Sequence, residues 1–196
     1  MQLPERRRRG SLSVEEALAR RRSRREFRGE PLSLDAVSSL LWAVQGQSSG
    51  EGLRTAPSAG ACYPLSVYLI AGSVDGLDPG VYAYDPERHA LTDKSSGDLR
   101  FDLAKACLGQ ECVQDAAAIV LLAAVYERTT SRYGGRGVRY VHMDVGFAGE
   151  NLHLQAEALG LGTVVVGAFE DEEVQRVIGL ADDEIPQILM PVGRPR

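Results

Sequence analysis

The 196-residue chain is 44% apolar and 25% charged, with a formal net charge of −5. That bounds it as one ordinary globular domain and disfavours a nucleic-acid partner. No segment reaches the ~18 apolar residues of a membrane span, and the odd trio Cys62, Cys107 and Cys112 contains no CxxC pair, so a reducing, cytoplasmic setting without membrane attachment is expected.

In chain order, residues 1–12 read as a disordered arginine-rich arm and residues 13–196 as a single domain. Ser13 with Glu16 forms a capping box that opens a helix. This helix runs into five arginines among the six residues Arg20–Arg25, in a chain that is acidic overall. A second helix starts near Ser33. It carries Leu34, Val37, Leu40, Leu41 and Val44 on one face and stops at Gly46. A loop rich in Gly, Ser and Pro follows. "LSVYLIA" reads as a buried strand, and "GVYAYDPERHALT" as a hairpin turning at Asp85–Pro86. A short helix is expected between Asp98 and Leu108, and "AAAIVLLAAVY" suits a central strand. Residues 127–138 are polar and glycine-rich. Val141, Val145, Ala148, Leu152, Ala156 and Leu159 then mark a long helix ended by Gly160. "TVVVGAF" predicts a second central strand, "DEEVQRVIGL" a short helix and "QILMPVG" a last strand. The mixture predicts an α+β fold, a sheet flanked by helices.

Much chemistry lacks its motif. There is no phosphate-binding Walker loop and no serine elbow, and His89, His142 and His153 have no metal-ligand spacing. "GLGTVVVG" ends a helix and precedes a strand, the reverse of a dinucleotide fingerprint. Four segments remain. Arg21, Arg22, Ser23 and Arg25 present guanidinium forks and a hydroxyl suited to a phosphate; a solvated basic face, or pairing with Glu26 and Glu30, is the competing reading. Pro57, Ser58 and Ala59 form a small-residue loop whose backbone a ligand could approach. Gly167 breaks the strand before Ala168 and leaves bare backbone. Arg194 lies just past the last strand, within reach of a phosphate.

Together "RRSRREF", "TAPSAGACYPLSVYLI", "RGVRYVHMDVGFAGENLHLQAEALGLGTVVVGAF" and "LMPVGRP" make the chain resemble the nitroreductase superfamily of FMN-dependent oxidoreductases, from about Ser13 to Pro195. "PLSLDAVSSLLWAVQG" and "GVYAYDPERHAL" resemble its SagB-type dehydrogenase branch. The resemblance implies a mixed, mainly antiparallel central sheet flanked by helices, and a homodimer with FMN at its interface. Arg21 and Ser23 would contact the ribityl or phosphate oxygens, with Arg22 helping through backbone or side chain. Arg25 would approach the N1/O2 edge of the flavin, where a cation stabilises the reduced form. Pro57, Ser58 and Ala59 would come from the partner subunit, Gly167 and Ala168 would lie by N5, and Arg194 would clamp the phosphate. The expected activity is hydride transfer through N5, from NADH or NADPH to a small organic acceptor. The alternative is azoline oxidation with electrons passed to oxygen. In the azoline-oxidising branch a Lys–Tyr pair stands near the flavin; it aligns with Arg132–Tyr133, and arginine cannot serve as a base. Tyr133 could still move a proton, unless residues 127–138 are only a surface segment. Gly146 and Gly149 interrupt the long helix, either for close packing within one subunit or for a facing helix or flavin.

Overall fold

Seven strands form one antiparallel sheet in the computed structural model, which describes residues 1–5 and 10–196. The elements are α1 (Val14–Arg20), β1 (Phe27–Arg28), α2 (Leu34–Gln45), β2 (Leu65–Ala71), β3 (Gly80–Asp85), β4 (Ala90–Ser96), α3 (Arg100–Ala106), α4 (Glu111–Asp115), β5 (Ala118–Ala124), α5 (Glu127–Tyr133), α6 (Arg136–Ala158), β6 (Gly162–Thr163), α7 (Asp171–Ile178) and β7 (Ile185–Pro195). The strand order is β1-β7-β5-β2-β3-β4, with β6 also on β7.

β5 is apolar throughout because it pairs with β2 and β7 and is buried at every residue. On one face, Leu41 and Val44 of α2 and Leu152 of α6 pack with Leu69 and Val120. On the other, Leu103 of α3, Val113 of α4 and Val174 of α7 pack with Ile70 and Ile119. The α+β architecture is the one expected. The Ser13–Glu16 capping box is present, and Gly46 caps α2. At the β3–β4 turn, the Asp85 carboxylate accepts from the Glu87 and Arg88 N–H groups, 2.9 and 3.1 Å away.

Three expectations need correction. "TVVVGAF" is not a continuous strand: only Gly162–Thr163 pairs with β7, and Val166 touches it again at Leu189. Thr163 is flanked on its other side by Ser23, and the Arg24 N–H donates to the Thr163 carbonyl at 2.9 Å. The segment is thus threaded between the arginine run and β7. Second, the polar stretch after β5 contains the helix α5, which buries only Thr129 and so shows no apolar stripe. It touches α6 through backbone: a Cβ on Gly137 would lie 2.9 Å from Thr130 Cα. Third, the start of the expected disordered arm is ordered. Leu3 is buried, Gln2 bridges Ala90, and the Leu3 N–H donates to the His89 carbonyl at 3.1 Å. The exposed edge of β4 offers free backbone groups, and Leu3 completes the core above α2. The rest of that arm at Arg6–Arg9 lies outside the described residues.

Candidate active site

The first cluster is the arginine run. α1 ends at Arg21, whose backbone turns extended, and residues 23–24 are then held by Thr163. That pairing aims the side chains in different directions. Arg21 approaches Glu150 of α6 at 3.8 Å, and Arg24 approaches Glu157 at 3.9 Å. Arg22 turns back and donates to the Ala19 and Arg21 carbonyls at 3.1 and 2.7 Å, capping α1. One nitrogen of its fork, Nη1, is thus engaged locally. Arg25 is exposed and makes no ion pair or hydrogen bond through its side chain among the described residues. Ser23, Arg24 and Arg25 line a polar cleft of about 380 Å³ with Arg196. Arg194 does not line it: its guanidinium sits on Glu30 at 3.0 Å and borders a separate cleft with Ser33 and Asp35. Alternation along β7 turns neighbouring side chains to opposite faces.

Beneath this cluster lies His153 of α6, 6% exposed. Burial, and then the nearby Arg21 cation, lower its pKa to about 4. The ring is thus neutral at physiological pH, an apolar floor with a basic edge.

The second cluster forms around the small-residue loop. Ser58 precedes a 3-10 turn at Ala59–Ala61, and its hydroxyl accepts from the Tyr63 N–H at 2.9 Å. Arg132 of α5 donates to the Gly60 carbonyl at 2.9 Å, and Tyr133 stacks edge-on against Tyr140 of α6 at 5.1 Å. Gly60 has φ +60°, and a Cβ there would lie 2.4 Å from the Tyr133 hydroxyl. Only glycine leaves that hydroxyl its place. The structure therefore brings Ser58 and Ala59 together with Arg132 and Tyr133.

Sequence reasoning missed Asp144, the residue beneath this loop. It is 3% exposed and faces the Ser58 hydroxyl and the Ala59 N–H. Burial raises its pKa above the usual carboxylate value, and those two donors pull it partly back. A signal existed: an acid three residues after Val141 and four before Ala148, on a buried helix face.

The two clusters occupy successive stretches of α6: Glu150, beside Arg21, is six residues from Asp144, about 9 Å along the axis, and Glu157, beside Arg24, is thirteen residues away, about 20 Å. Gly167 and Ala168 are exposed near the first cluster's side of β7, with Gln110 donating to the Ala168 carbonyl at 2.9 Å. The outer face of α6 exposes Val138, Met143 and Phe147. Gly146 opens on that face with nothing near its Cβ position, whereas Gly149 turns inward against Ile188 at 3.2 Å. Close packing within one subunit thus holds for Gly149.

The fold is a seven-stranded antiparallel sheet covered by helices on both faces, with a run of guanidiniums at one edge. The comparisons give that fold its family. The model of the nitroreductase family matches residues 18–194, and the chain belongs to that family of oxidoreductases, in which FMN-dependence is typical. It is 45% identical over 183 residues to MJ1384 of Methanocaldococcus jannaschii, provisionally named a nitroreductase, covering 93% of this chain and 91% of that one. A crystal structure assigned to a nitroreductase of Ralstonia eutropha JMP134 superposes with a TM-score of 0.88 at 30% identity, covering 100% of this chain and 89% of the other. At 25% identity it is also similar to an NADPH-dependent oxidoreductase of Staphylococcus epidermidis, over 93% of this chain and 64% of that protein.

Proposed function

We propose that the chain is an FMN-dependent oxidoreductase that transfers hydride from NADH or NADPH to a small organic acceptor, acting as a homodimer. The observation that carries this reading is Arg25: a guanidinium without a protein partner, on a segment fixed by backbone pairing, beside the exposed Ser23 hydroxyl. These residues fit a phosphate-bearing ring cofactor. Arg21 and Ser23 would hold phosphate or ribityl oxygens, the Arg22 backbone would add a contact, and Arg25 would face the ring edge that gains negative charge. The bare backbone at Gly167 and Ala168 suits close approach of a planar ring. Arg194 would join the phosphate on exchanging its Glu30 contact. Bound FMN supplies hydride acceptance and donation at N5.

The residues of this chain do the rest. Pro57, Ser58 and Ala59 would meet the cofactor of the opposite protomer. Arg132 holds the Gly60 carbonyl and so fixes the loop. Its cation cannot accept a proton, so proton movement at the acceptor falls to the Tyr133 hydroxyl. That division favours reduction of an acceptor over base-driven oxidation of an azoline.

The test is direct. The purified protein should be yellow and release FMN on denaturation. Arg25→Ala removes a charge-assisted contact and should weaken FMN binding roughly 10- to 100-fold, read as the flavin-to-protein absorbance ratio after dialysis. Arg21→Ala should act in the same direction. A colourless protein that cannot be reconstituted would overturn the reading. Anaerobic bleaching by NADH or NADPH then identifies the donor.

A further inference from the structure

A second cationic cleft, of about 280 Å³, opens where β2 begins, β3 ends and α5 starts. It is lined by Arg54, Arg128, Glu184, Tyr68, Tyr84 and Ser66 among others, none of which belongs to the clusters above. Arg54 is fixed in advance. Its guanidinium donates to Gln45 Oε1 at 3.0 Å and lies 4.4 Å from the centre of the Tyr63 ring, whose hydroxyl accepts from the Arg54 N–H at 3.2 Å. Its partners are all neutral; no carboxylate stands within ion-pair distance of it among the described residues, and Glu87 acts on it only from further away. Burial and the like charge of Arg128 both oppose its protonated state. Arg128 has no hydrogen bond or ion pair of its own through its side chain among the described residues.

Glu184 offsets only one of the two positive charges, acting on Arg128 through space without an ion-pair contact. Its carboxylate is occupied by the Tyr68 hydroxyl at 2.6 Å, the Ala181 N–H at 3.2 Å and the Ser66 hydroxyl. Two guanidiniums thus share one cleft with one already-bonded carboxylate, on a protein whose formal net charge is −5. Folding two like charges toward one another is unfavourable unless something offsets them, and guanidinium forks match the planar and tetrahedral oxygens of carboxylate and phosphate.

We propose that this cleft binds a small oxyanion, the carboxylate or phosphate group of a metabolite, between Arg54 and Arg128. The proposal stands independently of the flavin reading. Protein saturated with FMN, which fills any phosphate site at the arginine run, would be titrated calorimetrically with inorganic phosphate and with malonate at constant ionic strength set by sodium chloride. The expected result is saturable one-site binding of at least one anion, with the stronger of the two giving the ligand's class. Arg128→Gln, on an exposed side chain, should weaken binding roughly tenfold or more, and Arg24→Gln, in the cleft of the arginine run, should leave it unchanged. Arg54→Gln should act like Arg128→Gln, with a thermal melt to confirm folding. Absence of saturable binding of both anions up to about 10 mM, or equal binding by Arg128→Gln, would overturn the proposal. Loss of binding in Arg24→Gln would do so as well, by assigning the anion to the arginine run. A protein that takes up no FMN but still binds phosphate through Arg128 would sink the flavin reading alone.

Discussion

His153 couples the acid sensitivity of the protein to the arginine run. In the unfolded chain its imidazole takes a proton near pH 6.5, while in the folded protein it stays neutral down to about pH 4. Its contribution to stability is therefore fully present above pH 6.5 and is lost as the pH falls from there toward 4, by on the order of 3 kcal/mol. Urea unfolding across that interval should show the decline, and His153→Gln should flatten it. An unchanged slope in the variant would exclude His153 as its source. Arg21 contributes to the depression, so an anion bound on Arg21 would relieve it. NMR titration of the His153 ring should accordingly give a higher pKa with FMN bound than without. Asp144 is the opposite case, a carboxyl whose protonated form is favoured by burial.

Among the elements, those that bury an apolar stripe were legible. α6 was plain from Val141, Ala148 and Leu152, and β5 from its unbroken apolar run. α5 was not, because it buries a single threonine and is held by backbone contact with Gly137 and by the Gly134 N–H bonded to the Thr130 carbonyl at its end. β6 was misread because "TVVV" has strand composition, yet its partners were set by a segment 140 residues away, Ser23 pairing with Thr163, and no local pattern reports that. The outer face of α6 makes the clearest prediction at this scale. Phe147 and Met143 are each 48% exposed and flank the open Gly146, while Val14 and Leu18 of α1 are exposed nearby on the helix that packs against α6. This is the surface a second protomer would cover. Sedimentation should show a dimer for the native chain and a monomer for Phe147→Asp, with FMN lost in parallel. A variant that stays dimeric and yellow would move the interface elsewhere.

For the molecule as a whole, the types of residue at the site were readable and their grouping was not. Arg25 and Ser23 stand out in the sequence because charge is concentrated there. Arg194 did not disclose that Glu30 would hold it, and Asp144 was hidden by the apolar residues around it. Long-range pairing decided each of these, above all on the outer edge of β7. Phe27 and Arg28 pair there with Pro195 and Arg194, and the Arg196 guanidinium donates to the Phe27 carbonyl at 3.0 Å. At Gly193 an added Cβ would come within 2.9 Å of Phe27 Cβ, so Gly193→Val should pry β1 loose. The flavin-to-protein ratio should then fall although no charge has changed; retention at the native level would show that the arginine run keeps its shape unaided. The sequence separation across this seam also bears on folding order. The Arg196–Phe27 hydrogen bond joins groups 169 residues apart, so closing the seam carries a large loop entropy and belongs among the late events of folding.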